Sequence, residues 1–272
     1  MNPELNAILT TADRVFNHAP AREGYRGPVH VGVDLGTAYT VLVVLDEDFR
    51  PLAGRYQFAQ IVRDGLVVDY FGAIKLVSRM KEELEAQLGF PLTTAATSYP
   101  PGVSPAEVRA TQNVVIAAGL ECSHFVDEPT AANALLQVDN GVVVDVGGGT
   151  TGVAVVENGQ VIYTADEATG GTHFSLVIAG ALKVPFETAE EIKTDPAQQR
   201  MVYPLVRPVM QKVGTIVARH IQPFNVHTIY LVGGTCMMPG IGEVVSEITG
   251  LPTVVPKHAM FVTPIGIAMQ DR

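Results

Sequence analysis

Val31-Gly-Val-Asp-Leu-Gly-Thr-Ala-Tyr-Thr-Val-Leu-Val-Val44 and Val142-Val-Val-Asp-Val-Gly-Gly-Gly-Thr-Thr-Gly-Val-Ala-Val-Val156 are two copies of one phrase, 111 residues apart from Asp34 to Asp145. Each copy runs from a β-branched stretch through an aspartate and a Gly/Thr turn into a second β-branched stretch. Two apolar runs joined by a glycine-bearing loop predict a tight hairpin. An aspartate at each turn, beside small residues and hydroxyls, offers two facing loops suited to a phosphorylated ligand and its metal ion. A duplication of this kind predicts two similar lobes with a cleft between them.

The chain has 272 residues, enough for one large domain or two lobes of ordinary size. Its 47% hydrophobic content supplies a substantial core and excludes intrinsic disorder. A net charge of -10 argues against nucleic acid and anionic membrane surfaces as partners. No apolar run reaches the roughly 18–20 residues needed to cross a bilayer, so no membrane insertion is expected. Met1 to Arg26 carries acids and lacks an apolar core, which does not fit a signal peptide, and a cytoplasmic location is expected. Cys122 and Cys236 fit no metal or redox spacing and are expected as small buried residues in a reducing compartment. The seven histidines are scattered and predict no zinc site.

Along the chain, residues 1–27 read as an N-terminal extension with a short helix near Pro3–Phe16. Three strands are expected from Val29 to Phe58, the third at Arg55–Phe58. Arg63-Asp-Gly65 reads as a turn, Ala73–Leu88 as a helix, and Ser104-Pro-Ala-Glu107 as a helix start with a capping box. A strand at His124–Asp127 then leads into a helix over Glu128–Gln137. After the second repeat come a strand at Val161–Ala165, a Gly170-Gly171 turn, helices near Phe174–Leu182 and Ala189–Lys193, and a long helix over Tyr203–Gln222. Alternating strands and helices in two similar halves predict an α/β architecture.

Gly147-Gly-Gly149-Thr-Thr151 is a loop whose exposed N–H groups can converge on an anion. It matches G-x-G-x-x-G formally through Gly147, Gly149 and Gly152. The dinucleotide fingerprint must open a helix, however, and Val153-Ala-Val-Val156 reads as a strand, so that reading fails on context. A third loop, Leu231-Val-Gly-Gly-Thr235, has a strand–GG–small pattern that lets a flat ligand approach the backbone.

With these loops in this order, the chain resembles the actin/Hsp70/sugar-kinase ATPase superfamily over about Val29 to Ala268. Asp34-Leu-Gly-Thr37 is similar to its first phosphate motif and Asp145-Val-Gly-Gly-Gly-Thr150 to its second. Asp127-Glu-Pro-Thr-Ala-Ala132 resembles the first connecting helix, Leu231-Val-Gly-Gly-Thr235 the adenosine loop, and Pro264-Ile-Gly-Ile-Ala268 the second connecting helix. Arg63–Asp69, Pro101–Ala110 and Thr188–Lys193 resemble segments of the actin-like MreB proteins. In all detail the chain most resembles the Hsp70-like proteins of ethanolamine-utilisation operons, which build a bacterial microcompartment.

The resemblance implies a two-lobed actin-like fold built from duplicated ribonuclease H-like α/β domains, with a nucleotide cleft between the lobes. Lobe I is expected over 28–138, with a small insertion at about 59–92 and completion by 258–272, and lobe II over 139–257. The implied cofactors are ATP or ADP and Mg2+. Asp34, Glu128 and Asp145 take the catalytic roles, the two aspartates as holders of a hydrated cation. Gly36, Thr37, Ala38, Gly147, Gly148, Gly149 and Thr150 face the phosphates. Glu190 and Lys193, three apart on one helical face, match ribose and adenine contacts, the alternative being a solvated charge pair. Gly170, Gly171, Gly233, Gly234, Thr235 and Met237 line the rest of the nucleotide.

The sequence also departs from the family. Gly152 stands where relatives carry an acid, Ala38 replaces a hydroxyl residue, and no match is found for the Hsp70 lysine near the transferred phosphate. Loss of one such group can lower a rate by roughly 10²–10³-fold, so binding is expected to outlast hydrolysis. The expected function is that of an ATP-binding, chaperone-like or assembly factor for ethanolamine utilisation, with slow or vestigial ATPase activity. A nucleotide-dependent scaffold or filament like MreB and a small-molecule kinase are the alternatives. Expected partners are ethanolamine-pathway enzymes or microcompartment shell proteins, the protein itself being a monomer or small oligomer. With no Hsp70-type β-domain expected after Arg272, a client would be held by the lobes or by residues 1–27.

Overall fold

The computed structural model describes residues 3–63, 66–102 and 105–272, without the side chains of 105–107. The turn read at Arg63-Asp-Gly65 and the cap read at Ser104 through Glu107 therefore fall largely outside the described residues. The first half holds α1 (Pro3–Val15), β1 (His30–Leu35), β2 (Tyr39–Leu45), β3 (Pro51–Phe58), the short pair β4 (Val62–Arg63) and β5 (Leu66–Val67), α2 (Tyr70–Leu88), β6 (Thr94–Tyr99), α3 (Pro105–Ala117), β7 (Glu121–Asp127) and α4 (Glu128–Leu136). The second holds β8 (Gly141–Val146), β9 (Thr151–Glu157), β10 (Gln160–Glu167), α5 (Gly171–Leu182), α6 (Phe186–Thr194), α7 (Gln199–Ile221), β11 (Ile229–Val232), α8 (Ile241–Thr249), β12 (Thr253–Val254) and α9 (Val262–Ala268).

The duplication in the sequence is a duplication of topology. One five-stranded sheet has the order β3-β2-β1-β6-β7 and the other β10-β9-β8-β11-β12. In each, an antiparallel three-strand meander is extended by two parallel strands behind its first strand. The repeated phrases form β1–β2 and β8–β9, with Asp34 opposite Val41 and Asp145 opposite Gly152. Gly36 N donates to Tyr39 O at 3.1 Å, and Gly147 N donates to Thr150 O at 3.0 Å, closing the two turns alike. Every residue of β8 is buried, as a valine run covered on both faces requires.

α4 and α9 run between the sheets and share one apolar core with them. Ala132 and Leu135 of α4 and Val262, Ile265 and Ala268 of α9 pack with Val41 and Val43 of β2, Val143 of β8 and Val232 of β11. The approach leaves no room for side chains at two points. A Cβ on Gly266 would lie 1.8 Å from Ala131 O, and one on Gly32 would lie 2.6 Å from Ala268 N.

The N-terminal segment is docked. Leu5, Leu9 and Ala12, at helical spacing, bury one face of α1, and Phe16 beyond it packs edge-on against Phe261 with ring centroids 4.9 Å apart. A Cβ on Gly54 of β3 would meet the Phe16 ring at 2.5 Å, so this strand accepts the ring only with glycine.

Several boundaries differ from expectation. β3 begins at Pro51 rather than Arg55, because Leu52 and Ala53 are core residues. α2 begins at Tyr70, capped by Asp69, whose side chain accepts from Gly72 N. β7 begins at Glu121, three residues before the expected start. α5 begins at Gly171, so only Gly170 is turn-like there. α7 starts at Gln199 and runs through Pro204 and Pro208, where the buried face from Val202 to Val217 outweighs the lost backbone donors. Cys236 is buried as expected, but Cys122 is only half-buried, its Sγ 3.5 Å from His124 O.

Gly266→Ala is expected to force α4 and α9 apart and to lower stability by about 3 kcal/mol, the upper part of the overpacking range. A lower urea midpoint at unchanged slope would register it.

Candidate functional site at the cleft

Between the sheets lies a cavity of about 370 Å3. Its walls include Asp34, Gly36, Thr37 and Ala38 from the first hairpin and Asp145 and Gly147 to Thr150 from the second. Glu128, Gly171, Glu190, Lys193, Gly233, Gly234, Thr235 and Met237 complete it. Every site residue expected from sequence lines this cavity except Gly170, which stands behind the second loop. A Cβ there would lie 2.7 Å from Gly147 O and from Gly149 C, so Gly170 is needed for close packing.

The second loop is held from three sides. Gly171 N and Thr172 N, at the start of α5, donate to Gly147 O at 2.9 Å and Gly148 O at 2.7 Å. Thr235 Oγ1 donates to Gly147 O at 2.7 Å, tying in the loop after β11. Thr151 Oγ1 donates to Thr169 O at 2.5 Å. Across the cleft the loops meet: a Cβ on Gly148 would be 2.7 Å from Ala38 Cβ, and one on Gly149 would be 2.8 Å from Thr37 Oγ1. The small residues of both loops are what let them approach.

Asp34, Asp145 and Glu128 converge at the inner end. Burial, and then the facing Asp145, raise the Asp34 carboxyl to about 7. Burial raises Asp145 as well, opposed by Thr263 Oγ1, which donates to its Oδ2 at 2.5 Å. Glu128 is raised well above its ordinary range by burial and by Asp34, Asp145, Asp166 and Asp127. Glu128 opens α4, whose N-cap Asp127 accepts from Thr130 N at 3.0 Å. Gly233, with φ of +93°, brings its backbone against the Asp145 carboxylate, where a Cβ would be 2.2 Å from Oδ1. Thr263 was not expected from sequence, although it directly precedes the Pro264 motif.

At the outer end Lys193 Nζ reaches Glu190 Oε1 at 2.8 Å, Ser175 Oγ at 2.9 Å and Gly171 O at 3.2 Å. The pair is largely buried, with side chains 12% and 13% exposed, which excludes the solvated alternative. Burial lowers the Lys193 pKa, opposed by Glu190. Tyr39 and Tyr56, also unexpected, line the wall opposite, and burial followed by the Glu190 charge raises the Tyr39 phenol.

Lys193 is the only lysine or arginine lining the cavity among the described residues, and it is committed to Glu190. Three carboxylates at the inner end thus lack a cation. Among the described residues no three His, Cys, Asp or Glu side chains form a metal cage. This donor set fits a cation that keeps most of its waters and shares a ligand's oxygens, as Mg2+ does.

The MreB/Mbl protein family model matches residues 54–203, and that of cell division protein FtsA matches 142–266. The ethanolamine utilization protein EutJ of Escherichia coli strain K12 is 45% identical over 269 residues, covering 98% of this chain and 94% of that protein. The crystal structure of EutJ from Carboxydothermus hydrogenoformans superposes with a TM-score of 0.92 at 45% identity, covering 98% of each chain. The chain belongs to the EutJ family. The family sits within the actin/Hsp70 ATPase superfamily. MreB 5 of Spiroplasma citri bound to AMPPNP, at 14% identity, shares the fold with a TM-score of 0.72 over 90% of this chain and 96% of that one. The protein is thus an actin-like ethanolamine utilization protein.

The raised Asp34 carboxyl carries a signed pH dependence. A folded-state pKa above the unfolded value near 4 makes the native state bind more protons, so the group's contribution to stability falls as pH rises from about 4 to about 7. Without ligand, Asp34→Asn is expected to match the wild type near pH 4 and to melt higher than it above pH 7. Paired melting curves across that range check the sign.

Proposed function

We propose that this EutJ-family protein binds ATP or ADP with Mg2+ in the cleft and hydrolyses ATP slowly, as a chaperone-like or assembly factor for ethanolamine utilisation. The observation that carries this reading is the convergence of Asp34, Glu128 and Asp145 on one cavity with both glycine loops and, among the described residues, no free cation. Uncompensated carboxylates beside phosphate-binding backbone call for a divalent ion between them. Asp34 and Asp145 would hold that ion through its waters, and it would neutralise phosphate charge. Gly36 to Ala38 and Gly147 to Thr150 would orient the phosphates. Glu128, at the N-terminus of α4, would hold the attacking water and accept its proton. Thr263 keeps the Asp145 carboxylate turned into the cleft. Glu190 and Lys193, with Met237, would contact the ribose and base.

Turnover is expected to be slow. The one cation lining the cavity among the described residues is held at Glu190, so no lysine approaches the phosphate end. The protein would act in the cytoplasm beside the microcompartment, with pathway enzymes or shell proteins as clients. A filament role is the second reading, favoured by the fold shared with MreB. The net charge of -10 opposes like-with-like stacking at low salt.

Saturation with ATP and Mg2+ at a hundred times the dissociation constant is expected to stabilise the protein by roughly 2.7 kcal/mol. Asp34→Ala and Asp145→Ala should each remove the Mg2+-dependent part of the melting shift. An unchanged melting temperature at millimolar ATP, ADP and Mg2+ would mark a site that no longer binds nucleotide. Ultracentrifugation with ATP and Mg2+ at near-physiological salt should leave most of the protein in the supernatant. Nucleotide-dependent pelleting would instead favour the filament.

A further inference from the structure

The N-terminal segment reaches the cavity from behind. Four aromatic rings form a row from the end of α1 to the cavity wall. Phe16 and Phe261 have ring centroids 4.9 Å apart, Phe261 and Tyr56 5.6 Å, and Tyr56 and Tyr39 6.1 Å. Tyr39 and Tyr56 line the cavity, and so does Met260, the residue before Phe261. Asn17 fixes Tyr56 from outside the sheet. β3 is an edge strand, and both backbone groups of Tyr56 bond to this one side chain. Asn17 Nδ2 donates to Tyr56 O and Asn17 Oδ1 accepts from Tyr56 N, each at 3.0 Å. Asn17 N also donates to Gly54 O at 2.9 Å. Its φ of +61° is a left-handed conformation that asparagine tolerates better than most residues.

A second contact engages the turn that leads into α9. Asp13 Oδ1, on α1, lies 3.1 Å from His258 Nδ1. His258 has φ of +50° and opens the turn Ala259–Phe261. Ala259 is buried in the core of the second half, and its carbonyl accepts from Gly233 N at 3.1 Å. Gly233 is the residue closed against the Asp145 carboxylate. A non-glycine residue in a left-handed conformation persists where its surroundings hold it, and Asp13 is one of the groups that hold His258. Residues 3–17 thus support the cavity from two directions, through Tyr56 in the first sheet and through the turn before α9.

We propose that residues 3–17 are a positioning element of the nucleotide site, coupled to its occupancy. Resting on the nucleotide-binding reading above, Asn17 holds Tyr56, and Phe16, through Phe261, holds Met260 where the ligand packs against them. A seated nucleotide in turn tightens the hold on α1, because coupling between two sites is reciprocal.

The test measures the dissociation constant of MgATP by titration calorimetry in wild type, Asn17→Gly, Phe16→Leu and Val77→Ala. Glycine keeps the left-handed backbone at position 17 and removes both bonds to Tyr56. Val77→Ala empties a buried position in the core on the opposite face of the first sheet, and so controls for lost stability alone. Asn17→Gly and Phe16→Leu are expected to raise the dissociation constant roughly fivefold or more, the lower end of ordinary coupling between sites, and Val77→Ala to leave it within about twofold. In wild type, MgATP should also slow hydrogen exchange in residues 3–17 together with both glycine loops. A dissociation constant within about twofold of wild type in Asn17→Gly overturns the assignment, as does an equal rise in Val77→Ala. If the variants do not fold, exchange in the wild type decides. Slower exchange in the loops and in residues 3–17 supports the proposal, and slower exchange in the loops alone overturns it. A wild type that neither binds MgATP nor gains protection in the loops overturns the nucleotide reading itself and the assignment with it.

Discussion

The two sheets hold the carboxylates of Asp34 and Asp145 toward one another in the cleft between them. Burial first, and then repulsion by the facing Asp145, hold the Asp34 proton up to about 7. Burial of unpaired charge is among the more expensive things a fold can do. The shared core beneath the cleft offsets it. Val41, Val43, Val143, Val232 and Ile265 are fully or nearly fully buried there, and α4 and α9 lock the sheets at the separation the carboxylates require. On the function proposed above, a ligand that brings positive charge would relieve it.

The same constraint explains where glycine is obligatory. Gly233 permits the loop after β11 to close on Asp145, and Gly266 permits α9 to lie on α4. Gly148 and Gly149 let the second loop meet Ala38 and Thr37 of the first. The lobes therefore touch at the site itself as well as at the connecting helices. A group seated between the loops bears directly on that contact, which is how nucleotide state would be transmitted to the outer surface of the lobes.

Much of this was legible in the amino-acid sequence because the repeat places identical chemistry at identical positions of two hairpins. Asp34 and Asp145, each on the central strand of its five-stranded sheet, could be paired across the cleft from sequence alone. The Glu190–Lys193 pair was visible as a helical spacing. Its burial was not, since that depends on Ser175 and Gly171 from a different helix. Thr263, Tyr39 and Tyr56 escaped for the same reason: nothing local distinguishes a threonine or tyrosine that faces a ligand from one that faces a neighbour. The long helix was expected from Tyr203 through both Pro204 and Pro208, and only its first turn, from Gln199 to Val202, was missed, because no capping signal marks its start.

The central claim is that the cleft carboxylates await a cation–phosphate ligand, and it is tested most directly by proton release on binding. Titration calorimetry of MgATP at pH 7, in buffers of different ionisation enthalpy, counts protons exchanged. With Asp34 at about 7 in the free protein, binding should release on the order of half a proton or more as the carboxylates ionise. Binding with no buffer dependence would contradict the account, because it would leave the facing carboxylates as they were without a ligand.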